Sequence, residues 1–183
     1  MSERSATSVD ADRVLADRVW RDRDEEAFRA LYRRHTPALY QFALRLLGGN
    51  TFDAEDVVQQ AWVNATERLG TFRWESGLST WLHGIVLHCC RALFRRADRR
   101  WIELRDDLAA LAPRQTHDQL DLEAALARLP PGYRTVVILH DVEGFTHEQI
   151  AARLEISANT SKSQLSRGRQ VLRSLLRPES VMR

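Results

Sequence analysis

The chain has 183 residues, enough for one ordinary domain or two small ones. Its 27 basic and 25 acidic residues leave a net charge of +2, which excludes a polycation, so any nucleic-acid footprint must come from where the charges sit. The adjacent Cys89 and Cys90 exclude a disulfide framework, residues 1–12 lack the apolar core of a signal peptide, and no stretch approaches a membrane span; the expectation is a soluble cytoplasmic protein with no membrane insertion.

Strand signals are nearly absent, and the pattern predicts an all-α fold. Residues 1–23 read as a polar lead-in. Phe28, Leu31 and Tyr32 begin one amphipathic segment, and Leu39, Phe42, Ala43, Leu46 and Leu47 form another. Pro37 is expected to separate the two, and Gly48-Gly49-Asn50 to end the second. Ala54, Val57, Val58, Ala61, Trp62, Ala65 and Leu69 then follow helical spacing closely. With that stripe inward, Asp53, Asp56, Gln59, Gln60 and Glu67 face out. An acidic, amide-rich face suits a basic protein surface better than DNA. Asp53 and Glu55 also favour the helix dipole from the first turn, a role that Gln59 and Gln60 lie too far along to share.

A further helix is predicted from a cap at Ser79-Thr80, through Trp81, Leu82, Ile85, Val86, Cys89 and Leu93, to an arginine cluster of Arg91, Arg95, Arg96, Arg99 and Arg100. Single-stranded bases need aromatic stacking and cationic guidance. Trp74, next to Arg73 in a loop, could provide these with His83, His88, Arg91 and Arg95, whereas Trp81 reads as core. His83, His88, Cys89 and Cys90 are also zinc-type ligands. On a helix, however, adjacent cysteines project about 100° apart, and a four-ligand site would need partners from elsewhere. Buried helix residues are the simpler reading, and no metal or other cofactor is expected. Catalysis by this chain is not expected either, because no nucleophile–base set or phosphate loop stands out.

Residues 101–118, with Asp106-Asp107 and Pro113, read as a linker. Leu122, Leu126 and Leu129 lie at helical spacing, and Pro130-Pro131-Gly132 turns into a helix carrying Val136-Val137-Ile138-Leu139. Thr146 with Gln149 makes a capping box ahead of Ile150, Ala151 and Leu154. Ser157 is a second N-cap, opening a helix with Leu165 and Leu172 inward. Its outward side carries Lys162, Arg167, Arg169, Arg173 and Arg177, with no carboxylate between Asn159 and Arg177. That charge and the helix N-terminus suit phosphate, and Asn159, Thr160, Ser163 and Gln164 can reach base edges. Two short helices with a tight turn, the second basic, are how a protein offers a helix to the major groove. An ordinary amphipathic hairpin with a solvated basic face carries the same pattern.

Residues 53–62 resemble the polymerase-binding helix of bacterial sigma factors, which grips the clamp helices of the largest polymerase subunit. Residues 126–134, with the helix-turn-helix over 146–173, resemble the fourth conserved region of those factors. Order, spacing and short linker resemble the compact extracytoplasmic-function class. The resemblance implies a region 2 bundle over residues 24–100, a linker over 101–118, a region 4 helix-turn-helix over 119–177 and a tail over 178–183. It implies core RNA polymerase contact through Asp53, Asp56, Gln59 and Gln60, and −10 binding through Trp74, His83, His88, Arg91 and Arg95. The −35 set is Asn159, Thr160, Lys162, Ser163, Gln164, Ser166 and Arg167, with Lys162, Ser163, Ser166 and Arg167 matching most directly. Promoter DNA and an anti-sigma factor are the other implied partners.

The chain departs from the family in several places, one being the absence of the arginine that the family usually carries near Gly84 or Leu87. His88 stands for an asparagine near the flipped −10 base, Glu155 for the glycine of the helix-turn-helix bend, Ser161 for an inward apolar residue, and Gln164 for a common arginine. A plain helix-turn-helix regulator would explain the C-terminal motif but neither the polar face over 53–60 nor the arginine-tipped helix.

Overall fold

The computed structural model describes residues 2–96 and 122–176. The linker read over 101–118, the tail over 178–183, Arg99, Arg100 and Arg177 lie outside the described residues. Those residues contain eight α-helices and no strand: α1 (Ser2–Asp22), α2 (Glu25–Leu46), α3 (Thr51–Arg68), α4 (Leu78–Arg96), α5 (Leu122–Arg128), α6 (Pro131–Val137), α7 (His147–Leu154) and α8 (Ala158–Leu176). The chain divides into two compact units, one of Met1–Ala43 and Thr51–Ala92, the other of Leu44–Asn50 and Leu93–Arg183. The all-α class read from the periodicity is the class observed.

The core of the first unit draws on every one of its helices. Ala16, Ala27, Leu31, Leu39, Phe42, Val58, Trp62, Ala65, Leu82 and Val86 are all buried. Trp62 takes Phe28 edge-on at 5.6 Å and Tyr32 at 5.4 Å, and its Nε1 donates to Thr36 Oγ1 at 3.0 Å.

Two expectations fail here. Within the segment read as a lead-in, Ser2–Asp22 form a helix, α1. Its inner face carries Asp12 beside Ala16, so a carboxylate interrupts the apolar stripe and hides the periodicity. That carboxylate is held by Arg34 at 2.5 Å, and His35 Nε2 lies 3.1 Å from it. Pro37, in turn, sits inside α2 without ending it. Pro37 and Arg33, whose carbonyl it leaves unbonded, are both exposed, so water can take that bond while the buried face continues.

The second unit packs α5 to α8 around Leu126, Leu129, Val136, Ile138, Leu139, Ile150, Leu154 and Leu165. Pro131 occupies the first turn of α6, where its missing N–H costs nothing. The ambiguous run over 136–139 is helical and passes into a π-helical turn, Ile138–Val142. Buried Arg134 donates to the carbonyls of Ala127 at 3.0 Å and Leu129 at 2.8 Å, closing the end of α5. Burial pulls its guanidinium down to about 10, so it is still a cation at neutral pH.

Candidate nucleic-acid interface

The helix-turn-helix is built by its caps. Thr146 Oγ1 accepts from Gln149 N at 3.3 Å, and Gln149 Oε1 accepts from Thr146 N at 2.9 Å, completing the capping box. Helix α7 ends at Glu155, whose φ of 59° and ψ of 41° lie in the left-handed region where a glycine is the ordinary choice. Ser157 Oγ accepts from Thr160 N at 2.9 Å and opens α8.

On the N-terminal half of α8, Asn159, Lys162, Ser163, Ser166 and Arg167 are exposed and Thr160 is half-buried. Ser163 Oγ donates to Thr160 O at 2.9 Å, and Arg167 Nη1 lies 3.5 Å from the Tyr133 hydroxyl. Two readings of this helix need correction. Gln164, read as a base contact, is buried at 7% exposure, on the inner face with Ser161, Leu165, Gly168 and Val171. Arg169, read as part of a carboxylate-free face, is held by Asp141 at 3.0 and 2.5 Å. That carboxylate comes from the π turn, outside any window on α8 itself. Ser161, the polar residue at an inward position, is fully buried, and its Oγ lies 3.0 Å from His147 Nδ1.

The outer side of α3 exposes Asp56, Gln59 and Gln60, with Asp53 half-buried. Gln60 Nε2 donates to Asn64 Oδ1 at 3.0 Å. Sequence reasoning missed Phe52 and Val63 on this face, exposed at 71% and 47%. They fall eleven residues apart, three helical turns, off the inward stripe, and that offset was the available signal. The outer side of α3 therefore carries two exposed apolar groups among its carboxylates and amides.

A third constellation surrounds the loop before α4. Phe72 stacks on Trp81 at 4.8 Å and 24°, and Trp74 meets Phe72 at 4.8 Å. Trp74 is half-buried with a left-handed φ of 58°, and the Arg13 guanidinium lies 5.8 Å from its ring centre. Trp81, read as core, is half-buried at one end of this stack. Ser79 lies within the first turn of α4 rather than capping it, and its carbonyl is 2.7 Å from His83 Nδ1. A carbonyl only accepts, so that nitrogen carries the proton. The His83 ring also meets Phe42 edge-on at 4.9 Å, which turns it toward the protein. His88 and Arg95 are exposed and, seven residues apart, share the outer side of α4. Arg91 corrects its reading: it is buried at 7%, on the inner face with Leu87 and Phe94. Cys89 accepts from Asn64 Nδ2 at 3.4 Å, and burial raises both the Cys89 and Cys90 thiols above the ordinary range. They act as protonated apolar filling.

Comparison with known proteins gives the family of the chain. Residues 31–100 match the family described as Sigma-70 region 2, and residues 119–172 the family described as Sigma-70, region 4. Over 176 residues the chain is 34% identical to the ECF RNA polymerase sigma factor SigM of Mycobacterium tuberculosis, spanning 95% of this chain and 86% of that one. The sigma factor RpoE of Bartonella quintana, solved with the anti-sigma factor NepR, superposes with a TM-score of 0.61 at 28% identity, over 85% of this chain and 98% of that one. CnrH, solved with the cytosolic domain of CnrY, gives 0.59 at 32% identity, over 93% of this chain and 99% of its own. The chain belongs to the extracytoplasmic-function family of RNA polymerase sigma factors.

Proposed function

We propose that the chain grips core RNA polymerase through the outer face of α3, reads the −35 promoter element through the N-terminal half of α8, and engages the melted −10 element through α4 and the aromatic loop before it. On α3 the contacts are Asp56, Gln59, Gln60 and the edge of Asp53, with Phe52 and Val63 as apolar anchors. On α8 they are Asn159, Thr160, Lys162, Ser163, Ser166 and Arg167, with Gln164 supporting the helix from within. At −10, Trp74 stacks a base while His88 and Arg95 guide the strand, and buried Arg91 and inward-turned His83 shape the helix that presents them. Region 2 is assigned to residues 24–100 and region 4 to 119–177. The observation that carries this reading is the exposed polar and basic row on α8, set directly after a capped helix and a left-handed turn.

The chain acts by binding, in the cytoplasm where polymerase works, and the nucleotide chemistry is polymerase's. NepR is an anti-sigma factor bound to RpoE, and by that likeness an anti-sigma protein is the proposed regulator here.

The test is transcription in vitro with core polymerase across genomic fragments, which reads both promoter elements together. Start-site selection that depends on the chain is the expected result. Its absence overturns the assignment. Lys162→Ala should then weaken promoter binding evenly across sequences and reduce the slope of affinity against salt by about one unit, because it removes one phosphate contact. Ser163→Ala or Ser166→Ala should instead change which −35 sequence is preferred, leaving the salt slope intact.

A further inference from the structure

The network behind α8 contains two histidines that no surface described above uses. His147 is the first residue of α7 and is fixed there by the capping box on its neighbour Thr146. Its Nδ1 lies 3.0 Å from the Oγ of Ser161, which is fully buried and sits one residue before the DNA-facing Lys162. The His147 ring stacks on His140, at 4.7 Å and 29°, which belongs to the π turn. His140 Nδ1 is 2.8 Å from Asp141 Oδ1, and Asp141 holds Arg169 through both carboxylate oxygens. One chain of contacts therefore grips α8 at Ser161 and again at Arg169, and Ser163, Ser166 and Arg167 lie between the two grips.

We infer that His147 is a positioning residue for −35 recognition: stacked on His140, it holds α8 in register through Ser161, and protonating the His147 ring loosens that hold, so −35 affinity falls as the pH falls. This rests on the assignment of α8 to the −35 element and deepens it.

The electrostatics follow from what faces the pair. Lys162 and Arg169 face it from α8, Glu148 from its own helix, and Asp141 from the π turn. A His147⁺ ring would sit at the positive end of α7 and face the Lys162 and Arg169 cations. Burial first, then the His140 and Lys162 charges, hold His147 below its ordinary 6.5, with Glu148 opposing. A lowered histidine favours its neutral form in the folded state. Its contribution is thus complete above pH 6.5 and is lost as the pH falls through that value toward the lower folded one.

The sign separates positioning from direct contact. A histidine on a DNA phosphate binds more tightly when protonated. Here acidification adds positive charge and yet weakens binding.

The experiment uses the full chain with core polymerase and a labelled promoter fragment recovered from the transcription assay, with its −35 element intact or scrambled. The ratio of the two affinities, measured by anisotropy from about pH 7.5 to about pH 5.5 at fixed ionic strength, isolates α8 from acid effects on polymerase. The wild-type ratio is expected to fall roughly 3- to 10-fold over that range, the size of a modest coupling. His147→Asn places an amide near the Nδ1 position without a titrating group and should flatten the profile. Ser161→Ala should lower the ratio already at neutral pH, flatten its pH dependence and leave the salt slope unchanged. A wild-type ratio that is flat or rises in acid overturns the inference, as does a His147→Asn profile that follows the wild type. A ratio of one at neutral pH overturns the −35 assignment itself, and this inference with it.

Discussion

Gly168 of α8 packs against Val137 and Tyr133 of α6. A Cβ added there would lie 2.8 Å from Val137 Cγ2 and 3.4 Å from both the Tyr133 Cβ and carbonyl. Gly168→Ala should therefore cost about 1–3 kcal/mol as the helices are forced apart, seen as a lower urea midpoint at unchanged slope. Gly84, inside α4, is the opposite case, because nothing lies within 4 Å of its added Cβ. There Gly84→Ala should stabilise by roughly 0.5–1 kcal/mol through helix propensity alone. Equal midpoints for the two variants would contradict the packing described. A glycine in a sequence looks the same in both settings. Which one is obligatory is decided by the neighbour that covers it.

At the scale of elements, α7 shows how local chemistry makes a helix that could not persist alone. Eight residues are too few for an isolated helix in water. The capping box satisfies its N-terminal donors, and Ile150 and Leu154 anchor it. Thr146→Ala should cost about 1 kcal/mol in chemical denaturation of the full chain. Glu155→Gly should raise stability by up to about 1 kcal/mol, seen as a higher denaturation midpoint, because a side chain in the left-handed region is strained. Both caps were legible because they involve residues three apart in sequence. Helix α1 was not, since its inward Asp12 finds Arg34 and His35 on another helix. Pro37 was misleading for a related reason. A proline ends a helix only where its lost hydrogen bond cannot be replaced, and at an exposed position water replaces it.

For the whole molecule, a net charge of +2 conceals two surfaces of opposite character, acidic and amide-rich on α3, basic and polar on α8. The modest total fits a protein whose affinity is shared between polymerase and DNA. Asp56→Arg should lower affinity for core polymerase by about tenfold or more through like-charge opposition, with the thermal midpoint unchanged because the side chain is exposed. Titration of labelled core polymerase checks this, and unchanged affinity would remove α3 from the proposed interface.

What the residues determine by themselves is whatever depends on near neighbours along the chain: the helical period, the two caps of the helix-turn-helix, the proline-led entry to α6, and the order of motifs that marks the sigma family. Tertiary structure alone decided which polar side chains reach solvent. Gln164 and Arg91 turn inward, Arg169 gains Asp141 from the π turn, and Ser161 gains His147 from α7. Helical spacing assigns a side chain to a sector of its own helix. Whether that sector meets water or a neighbouring helix depends on packing between segments far apart in sequence, and the charge or hydrogen-bond partner found there belongs to the neighbour.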